Sequence, residues 1–449
     1  MPAVRSAQGN ASRGRTARIA DPPSADRKET RVNGHQMTFI LFDLFLIVVV
    51  ARMLGAVAAR LHQPPVIGEI VAGLVLGPTL LGDAVSGALF PPDVRPYLTA
   101  LANLGVALFA FLMGLEFDVS SLAGHRRTAA AVAVTSVVLP FVLGIALATH
   151  LSAVDPRPHR LGFVLFVGAA MSVTAFPVLA RILNDSGLTA TPLGGLALTC
   201  AALDDVLAWS LLSVVAVVSG ARTSQPWLLL LFPLYLAALT AVVRPALRRA
   251  FPPGTRLGPA QLATVLAGVL VSGAVTEGIG LHFVVGAFLF GIVMPRTGCE
   301  ALQAMISERI GELNATLLLP AFFIVTGLAV RLSGIGRSGL WTLALVLLVA
   351  ITGKFGGAFA AARLCRLPTR EAAALATLMN TRGLTELIIL TVGVQLGVLD
   401  RQLFSIMVLM ALLTTAMAGP LLRIIHVPTG ATPAPRPAPP LAAVAGTPR

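Results

Sequence analysis

The sequence predicts an all-α polytopic membrane protein with about thirteen transmembrane helices arranged as inverted repeats. Three observations lead to this prediction. The 449 residues are 56% hydrophobic and only 12% charged, whereas soluble globular domains carry about 25% charged residues. Apolar runs recur with short polar breaks, and many reach the ~20 residues that a spanning helix needs. Two runs are interrupted by helix breakers at corresponding positions in the two halves of the chain.

Each apolar run is interpreted as one span, and no alternating apolar–polar pattern typical of β-strands competes with this interpretation. The predicted spans are 38–60, 65–82, 98–117, 128–150, 161–183, 191–219, 227–247, 259–277, 279–295, 312–331, 338–362, 372–398 and 402–425. The division within 259–295 depends on a very short break at Gly278.

Both ends of the chain differ in composition from the spans. Residues 1–36 are polar and carry seven Lys or Arg against three Asp or Glu, and residues 428–449 are rich in Pro and Ala. Such segments cannot bury enough apolar surface to offset the entropy cost of folding. We therefore expect a disordered basic N-terminal tail and a disordered C-terminal tail.

The arginines of the loops predict the orientation in the membrane. An odd number of spans places the termini on opposite sides, and the loops then form two sets. One set contains Arg126, Arg127, Arg244, Arg248, Arg249, Arg256, Arg296, Arg309, Arg363, Arg366 and Arg370. The other contains Arg95, Arg157, Arg160, Arg222, Arg331, Arg337 and Arg401. The positive-inside rule predicts that the first set is cytoplasmic, with the C-terminus inside and the N-terminus outside a plasma or bacterial inner membrane. The basic N-terminal tail opposes this orientation, but it is one segment against many short loops.

Two spans contain helix breakers flanked by polar residues. Residues 171–181 read MSVTAFPVLAR, and Pro177 removes a backbone donor and disfavours helix at the residue before it. Residues 379–386 read MNTRGLTE, with two charges and a glycine inside a span. Interrupted spans in corresponding halves indicate a transporter with inverted repeats and a site near the midplane. For Pro177 alone, a simple kink is an equally good interpretation.

Three charges lie where charge is costly. Asp204 and Asp205 are adjacent in one apolar run, and Lys354 lies in another. A charge at the membrane centre costs roughly 2.5–3.5 kcal/mol on insertion scales, so such residues usually face a bundle interior or a water-filled cavity. Lysine can release its proton when it is buried, whereas arginine effectively cannot. A lone intramembrane lysine together with an acidic pair suggests proton exchange.

Asp204 and Asp205 point about 100° apart on a helix, so one can meet Lys354 while the other faces a cavity. Such carboxylates form a coupled pair that can trade protons for a hard cation held by their oxygens. The alternative is a static ion pair that orients two helices.

Polar residues in the second break have two possible roles. Arg382 and Glu386 are four residues apart, which permits an ion pair on one helix face, and in a broken helix they can neutralise exposed half-helix ends. Structural support is favoured over direct ion ligation for this pair. Thr174, Asn380 and Thr381 can either offer oxygen ligands or cap the broken ends.

Several stretches together resemble the monovalent cation:proton antiporter-2 family, which includes bacterial sodium/proton antiporters, Kef-type potassium efflux proteins and plant cation/proton exchangers. They are GEIVAGLVLGP (68–78), FLMGLEFD (111–118), TAFPVLAR (174–181), the Asp204–Asp205 pair and RGLTEL (382–387). Each stretch alone is weak evidence, but together and in this order they are specific.

The resemblance implies two parts with different roles. A dimerisation part takes residues 38–117 and 259–331, an ion-translocating core part takes residues 128–219 and 338–425, and residues 227–247 form a linker helix. Family members are usually homodimers whose core moves like an elevator.

The resemblance also implies roles for the charged residues. By analogy, Asp205 carries the cation or the proton, and Asp204 partners Lys354. The only metal expected is the transported monovalent cation at Asp205. An Asp–Asp pair with a lysine resembles the electrogenic members of the family.

The expected partners are a monovalent cation, H⁺, the lipid bilayer and a second copy of the chain. Only a Pro-rich tail follows the last span, and no Gly-rich dinucleotide fingerprint is present, so no nucleotide-binding regulatory domain is expected. The three cysteines show no metal spacing, and neither a cofactor nor a nucleic acid is expected.

The leading hypothesis is exchange of Na⁺ or K⁺ for H⁺. The main alternative is a proton- or sodium-coupled organic solute transporter of the same fold. An intramembrane aspartyl protease needs two aspartates that face each other from separate helices, which an adjacent pair does not provide, so no enzymatic activity is expected. A passive channel does not need a titratable Lys–Asp pair.

Overall fold

The computed structural model describes residues 34–116, 126–154, 160–189, 191–218, 231–255, 257–296, 298–332 and 336–425, and the regular elements in these ranges are all helices. In chain order they are α1 Gly34–Arg60, α2 Pro65–Leu76, α3 Pro78–Leu89, α4 Arg95–Glu116, α5 Arg126–Val154, α6 Arg160–Ser172, α7 Phe176–Asp185, α8 Pro192–Val218, α9 Phe232–Ala238, α10 Arg244–Ala250, α11 Pro259–Gly278, α12 Phe283–Val293, α13 Glu300–Leu313, α14 Leu319–Ala329, α15 Arg337–Leu364, α16 Thr369–Met379, α17 Leu384–Gln395 and α18 Arg401–Ile425. Short π-helical turns, Leu239–Val243 and Asn314–Leu318, join α9 to α10 and α13 to α14.

The predicted fold class is confirmed, and each predicted span coincides with one or more of these helices. Within the described ranges, nine helical segments are long and apolar enough to cross a membrane, or ten if the bent pair α2–α3 counts as one span. Length alone therefore does not establish thirteen, because α12 has only 11 residues and α16 and α17 are separated by a break. The predicted N-terminal tail, residues 1–36, lies outside the described residues up to residue 33, whereas residues 34–36 begin α1. The predicted C-terminal tail, residues 428–449, lies outside the described residues.

The second predicted span is bent rather than straight. It was expected to run over 65–82, but α2 ends at Leu76 and α3 leaves at an angle of 61°. Gly77 between them is extended, with φ −79° and ψ 171°. Pro78 cannot donate a backbone hydrogen bond back to α2, so it starts a new helix instead.

Two groups of helices pack mainly within themselves. In the first group α4 packs on α12, and α2 packs on α1 and α14. In the second, α15 packs on α5, α16 and α18, and α6 packs on α5 and α8. The approach of α2 to α14 is close because both helices carry a glycine there: a Cβ added to Gly73 would lie 3.0 Å from the Cα of Gly327. Side chains at these positions would push the two backbones apart.

Hydrogen bonds to α18 join the two groups. The Gln63 side chain, between α1 and α2, donates from Nε2 to the carbonyl oxygen of Ala416 in α18 at 3.2 Å. After α14, the backbone N–H of Arg331 donates to Oγ of Ser405 in α18 at 3.0 Å. These two bonds lie in different loops of the first group, and both end on α18.

Candidate functional site

The two predicted helix breaks meet inside the second group of helices. Residues 173–175 separate α6 from α7, and residues 380–383 separate α16 from α17. The backbone N–H of Ala175 donates to the carbonyl oxygen of Thr381 at 3.0 Å, which ties the two breaks together. Pro177 lies in the first turn of α7, where a missing donor costs nothing. The first break is thus a true interruption of the span and not a kink.

Thr174 connects the first break to two other elements. Its Oγ1 lies 2.7 Å from Oδ2 of Asp204 in α8 and 2.9 Å from the carbonyl oxygen of Met379 at the end of α16. A hydroxyl has one proton, so Thr174 donates to only one of these two acceptors at a time. Thr174 therefore contacts both the end of a broken helix and a site carboxylate, and its role as an ion ligand or as a cap stays a prediction.

Asp204 is fully buried and has several partners. Lys354 Nζ in α15 lies 2.6 Å from Asp204 Oδ2, and both side chains are completely shielded from solvent. Ser136 Oγ in α5 lies 3.1 Å from Asp204 Oδ1. Removing charge from water is costly unless the charge is paired and its remaining lone pairs are hydrogen-bonded, and both conditions hold for this carboxylate.

Asp205 has a different environment from its neighbour. It is 4% exposed, and its Oδ1 is buried with no hydrogen-bond partner among the described residues. Asn380, at the end of α16, is 5% exposed, and its Oδ1 likewise has no partner there. Helices α8 and α16 are in contact. Carboxylate and amide oxygens are hard ligands, so these two unpartnered oxygens are available to a cation or a proton.

Arg382 and Glu386 form a second buried ion pair. Arg382 Nη1 lies 2.9 Å from Glu386 Oε2, and both side chains are fully shielded. Arg382 also donates from Nη1 to the carbonyl oxygen of Ala170 at 3.0 Å and from Nη2 to that of Met171 at 2.8 Å. The guanidinium thus satisfies carbonyls at the C-terminal end of α6, where a positive charge also complements the helix dipole.

The side chain of Thr381 makes a local contact, in addition to the bond that its carbonyl oxygen accepts from Ala175. Its Oγ1 donates to the carbonyl oxygen of Leu378 at 2.7 Å, which caps its own helix. The structure thus brings Thr174, Asp204 and Lys354 into direct contact and joins Arg382 to Glu386. The transport roles assigned to these residues from the sequence stay predictions.

Two hydroxyl residues of the site were missed by the sequence analysis. One is Ser136, the partner of Asp204. The other is Thr415 in α18, whose Oγ1 accepts from the N–H of Arg382 at 2.9 Å and donates to the carbonyl oxygen of Arg382. Both lie in apolar runs, and their positions give no signal because hydroxyls in membrane helices commonly bond to carbonyls of their own helix.

The sequence model of the family described as "Sodium/hydrogen exchanger, transmembrane" matches residues 45–427. The chain is 39% identical over 399 residues to the Na(+)/H(+) antiporter NhaS4 of Synechocystis, and the alignment covers 86% of this chain and 96% of that protein. It is 38% identical over 415 residues to cation/H(+) antiporter 20 of Arabidopsis thaliana, covering 88% of this chain and 49% of the relative, so it spans about half of that protein.

A solved structure has the same fold. The sodium proton antiporter MjNhaP1 from Methanocaldococcus jannaschii aligns over 87% of this chain and 99% of its own, with a TM-score of 0.65. The sequence identity is only 15%, so this likeness concerns the fold alone.

Proposed function

This chain belongs to the sodium/hydrogen exchanger family, and on that premise we propose that it exchanges a monovalent cation, Na⁺ or K⁺, for protons across a membrane. The relatives' names support exchange against H⁺ but differ in the cation, one naming Na⁺ and the other only a cation. Both ions are hard cations that the same oxygens can hold, so this family membership leaves the choice between them to experiment.

The observation that carries the proposal is that two adjacent carboxylates differ in their hydrogen-bond and ion-pair partners. Asp204 is held by Lys354, Thr174 and Ser136, whereas a buried oxygen of Asp205 has no partner among the described residues. A buried carboxylate needs a compensating positive charge or a proton. Asp205 is therefore the group that binds the cation in one half of the cycle and the proton in the other, and the two compete because either neutralises the same carboxylate.

Asn380 is the second ligand that we assign to the cation. Its buried Oδ1 is unpartnered among the described residues, and its helix contacts the helix that carries the aspartates. We assign Thr174 an indirect role, through its hydrogen bond to Asp204, and not that of a cation ligand. Its hydroxyl is already shared between Asp204 and Met379.

Exchange requires movement because Asp205 is only 4% exposed in this conformation. We assign the movement to a core part, residues 128–219 and 338–425, against a dimerisation part, residues 38–117 and 259–331. The packing of α5, α6, α8, α15, α16 and α18 with one another supports this division. A sliding interface must break the polar bonds that cross it, among them those from Gln63 and Arg331 to α18.

The dimer and the orientation complete the proposal. A second copy of the chain would pair through the dimerisation part, and the arginine-rich loops would face the cytoplasm with the C-terminus inside. Cross-linking in native membranes tests the first assignment, and protease accessibility of tagged termini tests the second.

The experiment that tests the function uses sealed proteoliposomes with an imposed pH gradient and a lumenal pH dye. Na⁺, K⁺ and Li⁺ are added in turn, with and without a clamped membrane potential. We expect cation-dependent proton movement in the wild type and none in Asp205→Asn, which keeps the size of the side chain but not its charge. The matched control is Asp185→Asn at the exposed end of α7, whose carboxylate pairs with Arg181 at the surface, and we expect it to transport normally.

The outcomes of this experiment distinguish cation/proton exchange through Asp205 from the alternative functions. Full exchange in Asp205→Asn would remove Asp205 from the carrier role. Absence of a response to any of the three cations in the wild type would favour coupled transport of an organic solute.

A further inference from the structure

A cavity of about 300 Å³ lies away from the aspartates, between α4 and α14 on one side and α17 and α18 on the other. Three arginines line it: Arg95 at the start of α4, Arg331 after α14 and Arg401 at the start of α18. Among the described residues, the rest of the lining is neutral, with apolar side chains such as Phe322 and Phe404 and without Asp or Glu. The volume is at the lower end of the range of about 300–1,000 Å³ that small-molecule sites occupy.

The convergence of these arginines is unexpected from their distribution along the chain. They belong to the loops that are poorer in arginine, where only seven such residues were counted, and three of those seven line this one cavity. They come from three separate loops, so the fold and not local sequence brings them together. Like charges brought together repel unless an anion compensates them.

The neighbouring acids compensate this charge only in part. Asp83 pairs with Arg331 through both Nη atoms, at 2.9 and 3.3 Å, and the Arg331 side chain is 51% exposed and that of Asp83 71% exposed, so solvent screens this pair. Arg95 uses its Nε to bond to the carbonyl oxygen of Phe90 at 2.9 Å. Asp400 precedes Arg401, and its Oδ1 accepts from the N–H of Leu403 as a cap of α18, outside the cavity lining.

We propose that this cavity binds a phosphate group, carried either by the headgroup of an anionic phospholipid or by a free phosphate anion. Guanidinium groups bind phosphate oxygens through paired N–H donors, and a tetrahedral anion offers oxygens to several guanidiniums that approach from different directions. The site lies between the two groups of helices, so its occupant contacts both and holds them together. This inference does not depend on which cation is transported.

The test measures binding rather than transport. The full chain is placed in nanodiscs of phosphatidylcholine alone, of phosphatidylcholine with phosphatidylglycerol, or of phosphatidylcholine with inorganic phosphate against chloride at equal ionic strength. The readouts are the thermal unfolding midpoint and the lipid retained in native mass spectrometry. We expect the midpoint to rise above that in phosphatidylcholine alone when phosphatidylglycerol or inorganic phosphate is added. The apparent affinity for that anionic probe should fall roughly tenfold in Arg401→Gln, because one charged hydrogen-bonding partner is lost.

Two further variants make the result specific. Arg337→Gln removes an exposed arginine of the same set of loops that does not line the cavity, and we expect it to behave as the wild type. Arg401→Lys keeps the charge without the paired donors, and we expect an intermediate affinity. A rise with phosphatidylglycerol alone identifies a lipid, and a rise with inorganic phosphate identifies a free anion. No rise with either probe, or equal losses in Arg401→Gln and Arg337→Gln, would overturn the proposal.

Discussion

Among the described residues, two buried ion pairs have similar lengths and equal burial, but they fix different parts of the structure. Lys354 and Asp204 come from different helices, and the other partners of Asp204 are the hydroxyls of Thr174 and Ser136. Arg382 and Glu386 lie one turn apart, and Arg382 also donates from Nη1 and Nη2 to backbone carbonyls of α6. The first pair fixes a carboxylate next to Asp205, while the second fixes the backbone of a broken helix. Substitutions in each pair distinguish the role of fixing a site carboxylate from the role of fixing the backbone of a broken helix.

The largest expected effect follows replacement of Arg382. Arg382→Ala leaves the Glu386 carboxylate buried without its partner and uncovers carbonyls at the end of α6. Breaking a buried ion pair in this way costs about 3–5 kcal/mol. We expect a large fall in the thermal unfolding midpoint of the purified protein in detergent.

The matched control for Arg382 is Arg181, whose pair with Asp185 also spans four residues and has an N–O distance of 3.0 Å but is half exposed. Arg181→Ala should change stability by no more than about 0.5 kcal/mol. Equal effects of the two alanine variants would mean that burial of the Arg382 pair does not matter.

Replacement of Lys354 should have the next largest effect. Lys354→Ala leaves Asp204 buried, but Thr174 and Ser136 still contact that carboxylate, so we expect a loss of about 3 kcal/mol, at the lower end for a broken buried pair. The same variant should alter the voltage dependence of exchange in proteoliposomes, because it changes the charge next to the proposed carrier.

Adding Asp204→Asn to Lys354→Ala removes the uncompensated charge and should restore part of the lost stability. If the double variant is as unstable as the sum of the two single variants, the contact between Lys354 and Asp204 carries no coupling.

Replacement of Thr174 should have a smaller effect on stability, through its contacts with Asp204 and with the end of α16. Thr174→Val keeps the shape but removes the hydroxyl shared by Asp204 and Met379, and an unpaired buried acceptor costs about 1–3 kcal/mol. We expect a moderate fall in the unfolding midpoint and slower exchange. Thr174→Ser retains the hydroxyl and should behave close to the wild type; a serine variant as impaired as the valine variant would assign the role of Thr174 to its methyl group.

The smallest effect is expected at Ser136. Ser136→Ala removes one hydrogen bond to Asp204, for a loss of about 1 kcal/mol. Its effect should not add to that of Lys354→Ala, because both act on one carboxylate. Ser172 is the matched control, since its hydroxyl bonds only to the carbonyl oxygens of Val137 and Gly168. Ser172→Ala should combine with Lys354→Ala additively.

Hydropathy predicted where helices lie, because a bilayer imposes length and apolarity on every span. It did not predict the bend at Gly77 and Pro78, since the run stays apolar through that point and only the local backbone changes. At the site, the cost of intramembrane charge singled out Asp204, Asp205 and Lys354. The contact of Ser136 with Asp204 joins residues 68 positions apart, and a single hydroxyl in an apolar run does not reveal such a partner.

The exchange of caps between the two breaks has a genetic consequence. The guanidinium of Arg382 in one break covers carbonyls at the end of α6, and the hydroxyl of Thr174 in the other break contacts a carbonyl at the end of α16. A substitution in either break therefore removes hydrogen-bond partners from a helix end in the other half of the chain. In a selection for restored growth, second-site suppressors of a defect within residues 170–175 should map to residues 379–386, and the reverse, although some 200 residues of sequence separate them.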